Sequence, residues 1–476
     1  MRRTAIRLAR AELAARRSPL AAVLACAILA ACATPPGPPA SPDASLATLE
    51  QRRLDDPRLS QFLTAARRLD NTPAPPPWTL ASLSLAALYF HPDLDLARSQ
   101  LALARAGTVT AAERPNPSVS FVPPPWLFGG VVSAVIETFG KRSGRIAAAD
   151  RLAQAARADL DTASWQVRAG VRAALLDVWA ARRRGALLAE RAGQQAALVA
   201  EMQRRLSAGD AAAPEVTRER MALDQLRLAQ NDAARAEAEA VARLARAIGV
   251  PARALDGQAL ALDPFDRPVT LDLARAEGTD RRAALTGRAD LRARLAELDA
   301  AQAALGIELA SRFPNVTLGP GYNWYQGIGA FAVAPTFELP ILNQNQGRIG
   351  EALARRDAAA ARLVALQARI LGEIEQATAG MRAAERGLAA ASALLREQDG
   401  RVEAIARAVA AGAADRPALL AAEVERGLVR QGWLDALAAE HQAAGALEDA
   451  LQVPLVGPAS AAPDPETNPR AAMAGP

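Results

Sequence analysis

Residues 144–251 and 347–454 of this chain repeat one another at a constant offset of 203. Gly144, Arg145 and Ile146 fall on Gly347, Arg348 and Ile349; Gly209 falls on Gly412, Pro214 on Pro417, and Val250 and Pro251 on Val453 and Pro454. The landmarks agree at both ends and in the middle without a gap. None of them is an alanine, the residue that an Ala-rich chain matches by chance. A register held over that length marks duplication of one structural unit. The unit is far longer than the roughly 20–50 residues of a solenoid repeat, so the chain has two pseudo-equivalent halves rather than an array.

Each half is helical in pattern. Apolar residues at helical spacing, with Arg and Glu between them, run through 144–207 and 347–410. At 1.5 Å per residue each run extends about 96 Å, a length suited to a coiled-coil stalk rather than a globular core. The aromatic content of 4% and the dominance of Ala, Arg, Leu and Glu agree with long helices. Each run ends in a turn, the first with Ala208, Gly209 and Asp210, the second with Gly412, Ala413 and Asp415. Glycine serves as the C-terminal cap, Asp as a plausible N-cap, and Pro214 or Pro417 as the first turn of a returning helix. Each half is therefore a long antiparallel helical hairpin. The first return helix stops at Gly249, and the helical pattern resumes only at 287–311. Two shorter helices stacked end to end match one long one, with residues 252–286 as a linker around the middle.

Strand-like alternation precedes each long helix. Val316, Leu318, Tyr322 and Trp324 alternate with Thr317, Gly319, Gly321 and Asn323. After Gln326 and Gly327, Phe331, Val333, Phe337 and Leu339 alternate with Ala330, Ala332, Thr336 and Glu338. One face is bulky and apolar, the other small or polar, over about the 9–11 residues that a transmembrane strand requires. The eight bulky residues are expected to face lipid. The first half is weaker: Val119 and Phe121, then Pro123, Pro124 and Pro125, then Val131, Val132, Val135 and Ile136. Proline donates nothing to a central ladder, so 123–125 belong in the turn.

The N-terminus reads as an export signal. Six arginines precede an apolar run over residues 20–31 that ends in Leu29, Ala30, Ala31 and Cys32. That run is too short for a spanning helix, which needs about 20 residues. Residues 1–31 are expected to be removed, with Cys32 as the site of lipid attachment and 32–80 as a lipidated tether and extension. The whole chain has 56 basic and 51 acidic residues, and the signal holds six arginines and one glutamate, so its loss leaves 50 of each. The basic character of the precursor is thus no argument for nucleic acid. Cys32 would be the sole mature cysteine, which leaves no disulfide, and two histidines supply no metal site by themselves. No cofactor motif is visible. Residues 455–476 read as a disordered tail.

These residues together resemble the TolC-type outer-membrane efflux proteins. More specific segments resemble the heavy-metal lipoprotein branch, the CzcC- and CusC-like channels. They are Arg114-Pro115-Asn116-Pro117, Glu137-Thr138-Phe139-Gly140-Lys141-Arg142, Gly319-Pro320-Gly321-Tyr322 and Leu339-Pro340-Ile341-Leu342-Asn343-Gln344-Asn345-Gln346-Gly347. The resemblance implies a mainly α fold with a small transmembrane β part. The duplicated hairpins, over 91–251 and 287–454, would form an α-barrel tunnel, and each chain of a homotrimer would give four strands to a 12-stranded β-barrel. It implies outer-membrane localisation, a periplasmic adaptor and, through it, an inner-membrane pump. Adaptor contact would fall on Ala208, Gly209, Asp210, Gly412 and Ala413, and Asp399, Glu403 and Asp415 are the candidates for an acidic tunnel gate.

Two other readings remain. One is a non-channel periplasmic adaptor or scaffold lipoprotein, which one hairpin with a soluble β-domain would suit better than two hairpins with amphipathic strands. The other is an enzyme, for which no Ser-His-Asp, zinc or paired-carboxylate constellation stands out; His91 lies at a helix start that Asp93 can cap. Heavy-metal cations are the cargo suggested by the resemblance alone.

Overall fold

The computed structural model describes residues 41–70, 77–122, 128–325 and 327–455. The chain divides into two compact units, residues 1–51 and 52–476. In the first, the described part is a short helix, α1 (Pro42–Glu50), capped by Ser41 and exposed throughout.

The second unit begins with α2 (Pro57–Asp70), α3 (Leu80–Phe90) and α4 (Pro92–Ala112). Strands β1 (Ser118–Val122) and β2 (Phe128–Ile136) follow, then α5 (Lys141–Ala208) and α6 (Ala213–Ile248). The middle of the chain has short turns at Ala252–Leu255, Asp263–Asp266, Leu273–Arg275 and Ala276–Asp280, then α7 (Arg281–Gly287) and α8 (Ala289–Ala310). Strands β3 (Val316–Tyr325) and β4 (Ile328–Thr336) lead into α9 (Gln346–Ala410) and α10 (Arg416–Leu451). Antiparallel pairing of α5 with α6 and of α9 with α10 makes the two hairpins, and α5 also packs against α4, α8 and α10. Within 32–80, expected as a tether and extension, residues 57–70 are helical, pack against α3, and bury Leu59 and Leu63 in an apolar core.

The duplication is visible atom by atom. Gln195 and Gln398 occupy equivalent positions, and both are buried. The amide of Gln195 donates to the Glu219 carbonyl (3.1 Å), and that of Gln398 to the carbonyl of the equivalent Ala422 (3.2 Å). A buried amide with one partner across an Ala-rich seam gives each hairpin the register that alanine cannot specify. The return helices also end alike in the left-handed conformation, Gly249 at φ +87° and Gln452 at φ +51°.

Two sets of contacts join the halves. In the first, the loop 263–269 lies against both hairpins. Asp266 accepts hydrogen bonds from the Trp179 indole (2.8 Å) and the Arg183 guanidinium on α5. Burial alone would raise its carboxyl, but these partners outweigh burial and hold it below the usual carboxylate range. On α10, His441 Nε2 lies 3.1 Å from the Phe265 carbonyl and 3.0 Å from that of Arg267. Both neighbours are acceptors, so this nitrogen carries the proton and donates to the pair. In the second, Glu448 is almost wholly buried, accepting from Arg172 on α5 and from the Leu455 amide.

Candidate channel wall and tip

The four strands form one antiparallel sheet in the order β1-β2-β3-β4. Its register puts Tyr322 opposite Phe331 and Gly130, and Gly130 opposite Phe121. Val316 pairs with Ile136, and Val132 with Val119. Directly opposed residues share a face, so Val119, Phe121, Val132, Ile136, Val316, Leu318, Tyr322, Trp324, Phe331 and Val333 line one side. Phe121 and Phe331 are 73% and 72% exposed there, far more than a soluble core would leave. The opposite face holds Ser118, Ser120, Ser133, Thr317, Asn323, Ala330, Ala332 and Thr336, with glycines 319 and 321 and the three aliphatic residues Val131, Val135 and Ile328. A Cβ at Gly321 would lie 2.8 Å from Val131, so glycine there makes room for a neighbour's side chain. Pro320 stands in the interior of a central strand, and the β2–β3 ladder skips that point between Val131 and Ala134, as the missing N–H requires.

Two of the expected lipid-facing residues lie outside the strands. β4 ends at Thr336, so Phe337 and Leu339 belong to the connection into α9. The cause is local: Pro340 sits in a tight turn closed by the Ile341 amide and the Leu339 carbonyl (2.8 Å). Alternation alone carries no sign of where pairing stops.

The junction motifs fasten the sheet to the helices. Lys141, at the start of α5, is buried and donates to the Phe313 carbonyl (2.6 Å) and Asn315 Oδ1 (2.7 Å) just before β3. Burial pushes its amine below the usual lysine range. Arg142 donates to the Ala112 carbonyl at the end of α4 (2.8 and 2.6 Å). Thr138 reaches the Pro314 carbonyl (2.7 Å), Arg145 pairs with Glu137, and Phe139 stacks on Phe313 at 4.0 Å. In the second half Asn345, at φ +65°, donates to the Glu308 carbonyl (2.8 Å) and carboxylate (2.7 Å). The motifs were legible as turns; their cross-connections between elements far apart in sequence were not.

At the far ends of the hairpins the two turns match. Gly209 and Gly412 take φ +87° and +73°, and each next amide closes back onto its helix. The Asp210 amide donates to the Arg205 carbonyl and the Ala413 amide to that of Ala408, both at 2.8 Å. This is the 6→1 bond of a Schellman cap. Ala208, Gly209, Asp210, Gly412 and Ala413 are all exposed. Asp210 is not the N-cap of α6 as expected. Ala212 holds that place, and Glu215 accepts its amide (3.2 Å). His91 likewise caps α4 itself, accepting the Asp93 amide at Nδ1 (3.3 Å).

The three acidic gate candidates separate in kind. Asp399 and Glu403 lie one turn apart on α9, and among the described residues neither has a hydrogen-bond or ion-pair partner. Asp415 is committed: it caps α10 through the Ala418 amide (3.0 Å) and pairs with Arg205 of the other hairpin (2.8 Å). The amide and then the guanidinium hold its carboxyl below the usual range. The cross-hairpin role of Arg205 has no mate in the repeat, where Ala408 stands, and sequence reasoning missed it for that reason. Cys32 lies outside the described residues.

The wall so built has a bulky apolar face, an opposite face of mostly small and polar residues, and two exposed turns. Among the described residues no group of three His, Cys, Asp or Glu side chains comes together to hold a metal ion. No described helix is long and apolar enough to cross a membrane. Residues 281–452 match the family model of the outer membrane efflux protein. The cobalt-zinc-cadmium resistance protein CzcC of Cupriavidus metallidurans is 29% identical over 294 residues, 60% of this chain and 68% of that protein. The solved outer-membrane channel OprN superposes with a TM-score of 0.66 at 20% identity, covering 88% of this chain and 97% of its own. The solved channel CusC gives 0.64 at 19%, covering 78% and 91%. These two likenesses establish the fold, and residues 281–452 resemble the outer membrane efflux protein family.

Proposed function

We propose that the chain is the outer-membrane channel subunit of a tripartite efflux system, a passive conduit fed by an inner-membrane pump through a periplasmic adaptor. The observation that carries this reading is the open four-stranded sheet, apolar and exposed on one face, mounted on two long hairpins. A sheet with two free edges is not viable in lipid, so copies of the chain must close it. Three copies would make the 12-stranded barrel, a size within the known range of such barrels. The non-channel adaptor or scaffold reading leaves that apolar face without a partner. Heavy-metal cations are the proposed cargo class, supported by the likeness to CzcC, named for cobalt, zinc and cadmium resistance. Lipidation of Cys32 is part of the proposal, and the mass of the mature N-terminal peptide tests it.

The deciding experiment is conductance of the purified protein in planar bilayers, with its native mass, followed by metal challenge of a strain lacking it. Discrete channels from a trimer and lost tolerance to zinc, cobalt or cadmium are the expected results. A non-conducting monomer would return the scaffold reading.

The tip turns supply a sharper test. Nothing lies within 4 Å of a Cβ built on Gly209 or Gly412, so a bulky side chain meets no clash there and costs only the roughly 1–2 kcal/mol of a left-handed backbone at each site. Tryptophan at both positions is expected to leave trimers intact and abolish efflux in cells; unchanged metal tolerance would remove the tip as the adaptor contact.

Asp415→Asn keeps the cap, which asparagine provides equally well, but removes the charge facing Arg205. It is expected to raise the fraction of time that channels spend open in bilayers. Because the folded carboxyl is held low, the joint is complete at neutral pH and is lost only as pH falls below the ordinary carboxylate range. The wild-type channel should approach the variant in acid, and identical gating at every pH would exclude Asp415 from the joint.

A further inference from the structure

Residues 337–342 leave β4 as an exposed apolar strap. Leu342 is 100% exposed, Ile341 77% and Leu339 67%, with Phe337 also in the open. The strap has a defined shape. It is held upstream by the β4 ladder, internally by the turn at Pro340, and downstream by Asn345 on Glu308. A held, solvent-facing cluster of this kind marks an interaction surface.

Its place beside an open edge selects the occupant. β4 and β1 are the two edges of the sheet, and all neighbouring strands are antiparallel. When β4 pairs with β1 of a second copy, the chain leaving one and the chain entering the other meet at the same rim. The chain entering β1 comes from α4 through Arg114, Pro115, Asn116 and Pro117, all exposed. Glu338 is exposed two residues beyond β4, and Arg114 four residues ahead of β1. At about 3.3–3.6 Å per residue both lie within about 15 Å of the rim. Among the described residues neither has a partner. Val109, near the end of α4, is 66% exposed beside the small exposed Ala106, a shallow place for a bulky knob.

We propose that the strap 337–342 docks on the β1 approach of a second copy of this chain, with Glu338 facing Arg114 and Leu342 seated against Val109 of that copy. This rests on the channel reading and adds to it the surface that sets the order and register of neighbouring copies. The strap is then the part of the junction that cannot be satisfied within one chain, whereas Lys141, Arg142 and Asn345 satisfy theirs internally.

The test uses the full chain in outer-membrane vesicles, with native mass measured in parallel. The Glu338→Arg and Arg114→Glu variants are each expected to reduce the SDS-resistant trimer several-fold at a temperature the wild type survives. The double reversal is expected to restore it. The Leu342→Cys, Val109→Cys double variant should give covalent dimers and trimers on mild oxidation, and either single variant should not. Trimers of native mass with no rescue by the double reversal and no covalent ladder would overturn the docking and leave the channel reading standing. Monomers alone, in the wild type as well, would remove both.

Discussion

Gly249→Val is expected to destabilise the fold by about 3 kcal/mol, while Gly209→Val, at the same backbone angle, costs about half of that or less. Both glycines have φ +87°. A β-branched residue in the left-handed region costs roughly 1–2 kcal/mol wherever it stands. At Gly209 nothing else is in the way. At Gly249 a Cβ would stand 2.9 Å from the His91 Cα and the Phe90 carbonyl oxygen and 3.1 Å from the Phe90 carbonyl carbon. Those are backbone atoms, which no rotamer change moves aside. Arg52 spans the same place, donating to the carbonyls of Phe90 and Gly249 at 2.7 Å each. Pushing α6 away from the α3–α4 corner would break that bridge and open the apolar core that Phe90, Leu94, Ile248 and Val250 share, adding about 1–3 kcal/mol for an overpacked site. Urea unfolding of the two variants and wild type in one detergent checks this; equal losses would show that the close approach is not maintained in solution.

The other half shows how the same corner accommodates a side chain. Gln452 stands where Gly249 does, and its Oε1 accepts the Ala289 amide (3.0 Å). Ahead of the strands the offset between the halves is 197, with Asp93 falling on Asp290, so the equivalent of Ala289 is Pro92, which has no amide to satisfy. Pro92 with Gly249 and Ala289 with Gln452 are two self-consistent solutions of one corner. Nearby, Arg288 reaches the Ala450 carbonyl (2.7 Å) and pairs with Asp290 and Glu373, work that Arg52, from outside the repeat, does in the first half. The copies have thus diverged in linked pairs, and a corner is best transplanted with all its members.

What was legible in the chain follows from which forces are local. Helix ends are set by glycine, proline and capping side chains a few residues away, so 144–207 and 347–410 fall close to the observed Lys141–Ala208 and Gln346–Ala410. The strand faces were readable because a two-residue period survives in β3 and β4. Lys141, Asn345, Arg205 and Gln398 were not readable as they act, because each partner lies in another element and its worth depends on burial. For the glutamines a signal did exist. Gln195 and Gln398 coincide at the offset of 203, and a polar match within an apolar register is rarer than any alanine match. The gate candidates show the opposite hazard: three acids near one end looked alike in sequence, yet Asp415 is a cap and a bridge while Asp399 and Glu403 are unpartnered among the described residues.

Phe331→Arg is expected to prevent stable insertion in the outer membrane. Phe331 lies within β4 opposite Tyr322, on the face that also carries Phe121 and Trp324. An arginine on the lipid side costs about 2–4 kcal/mol near the middle of the bilayer and about 0–1 near its edges. Every copy in the proposed barrel would bear that cost, without a neighbouring carboxylate on the strand to share it. Ala332→Arg is the matched control, one residue along and on the opposite face, beside Gly321. In the proposed channel the guanidinium would meet the water-filled interior, and insertion should proceed with altered conductance. Phe337→Arg makes a third arm, since Phe337 follows the strand. It should insert nearly as well as wild type and fail, if at all, at the joining of neighbouring copies. Membrane fractionation, extraction with alkaline carbonate and native mass distinguish the three. Normal insertion of Phe331→Arg would mean that the apolar face does not meet lipid, and loss of insertion in Ala332→Arg instead would mean that the two faces of the wall are reversed.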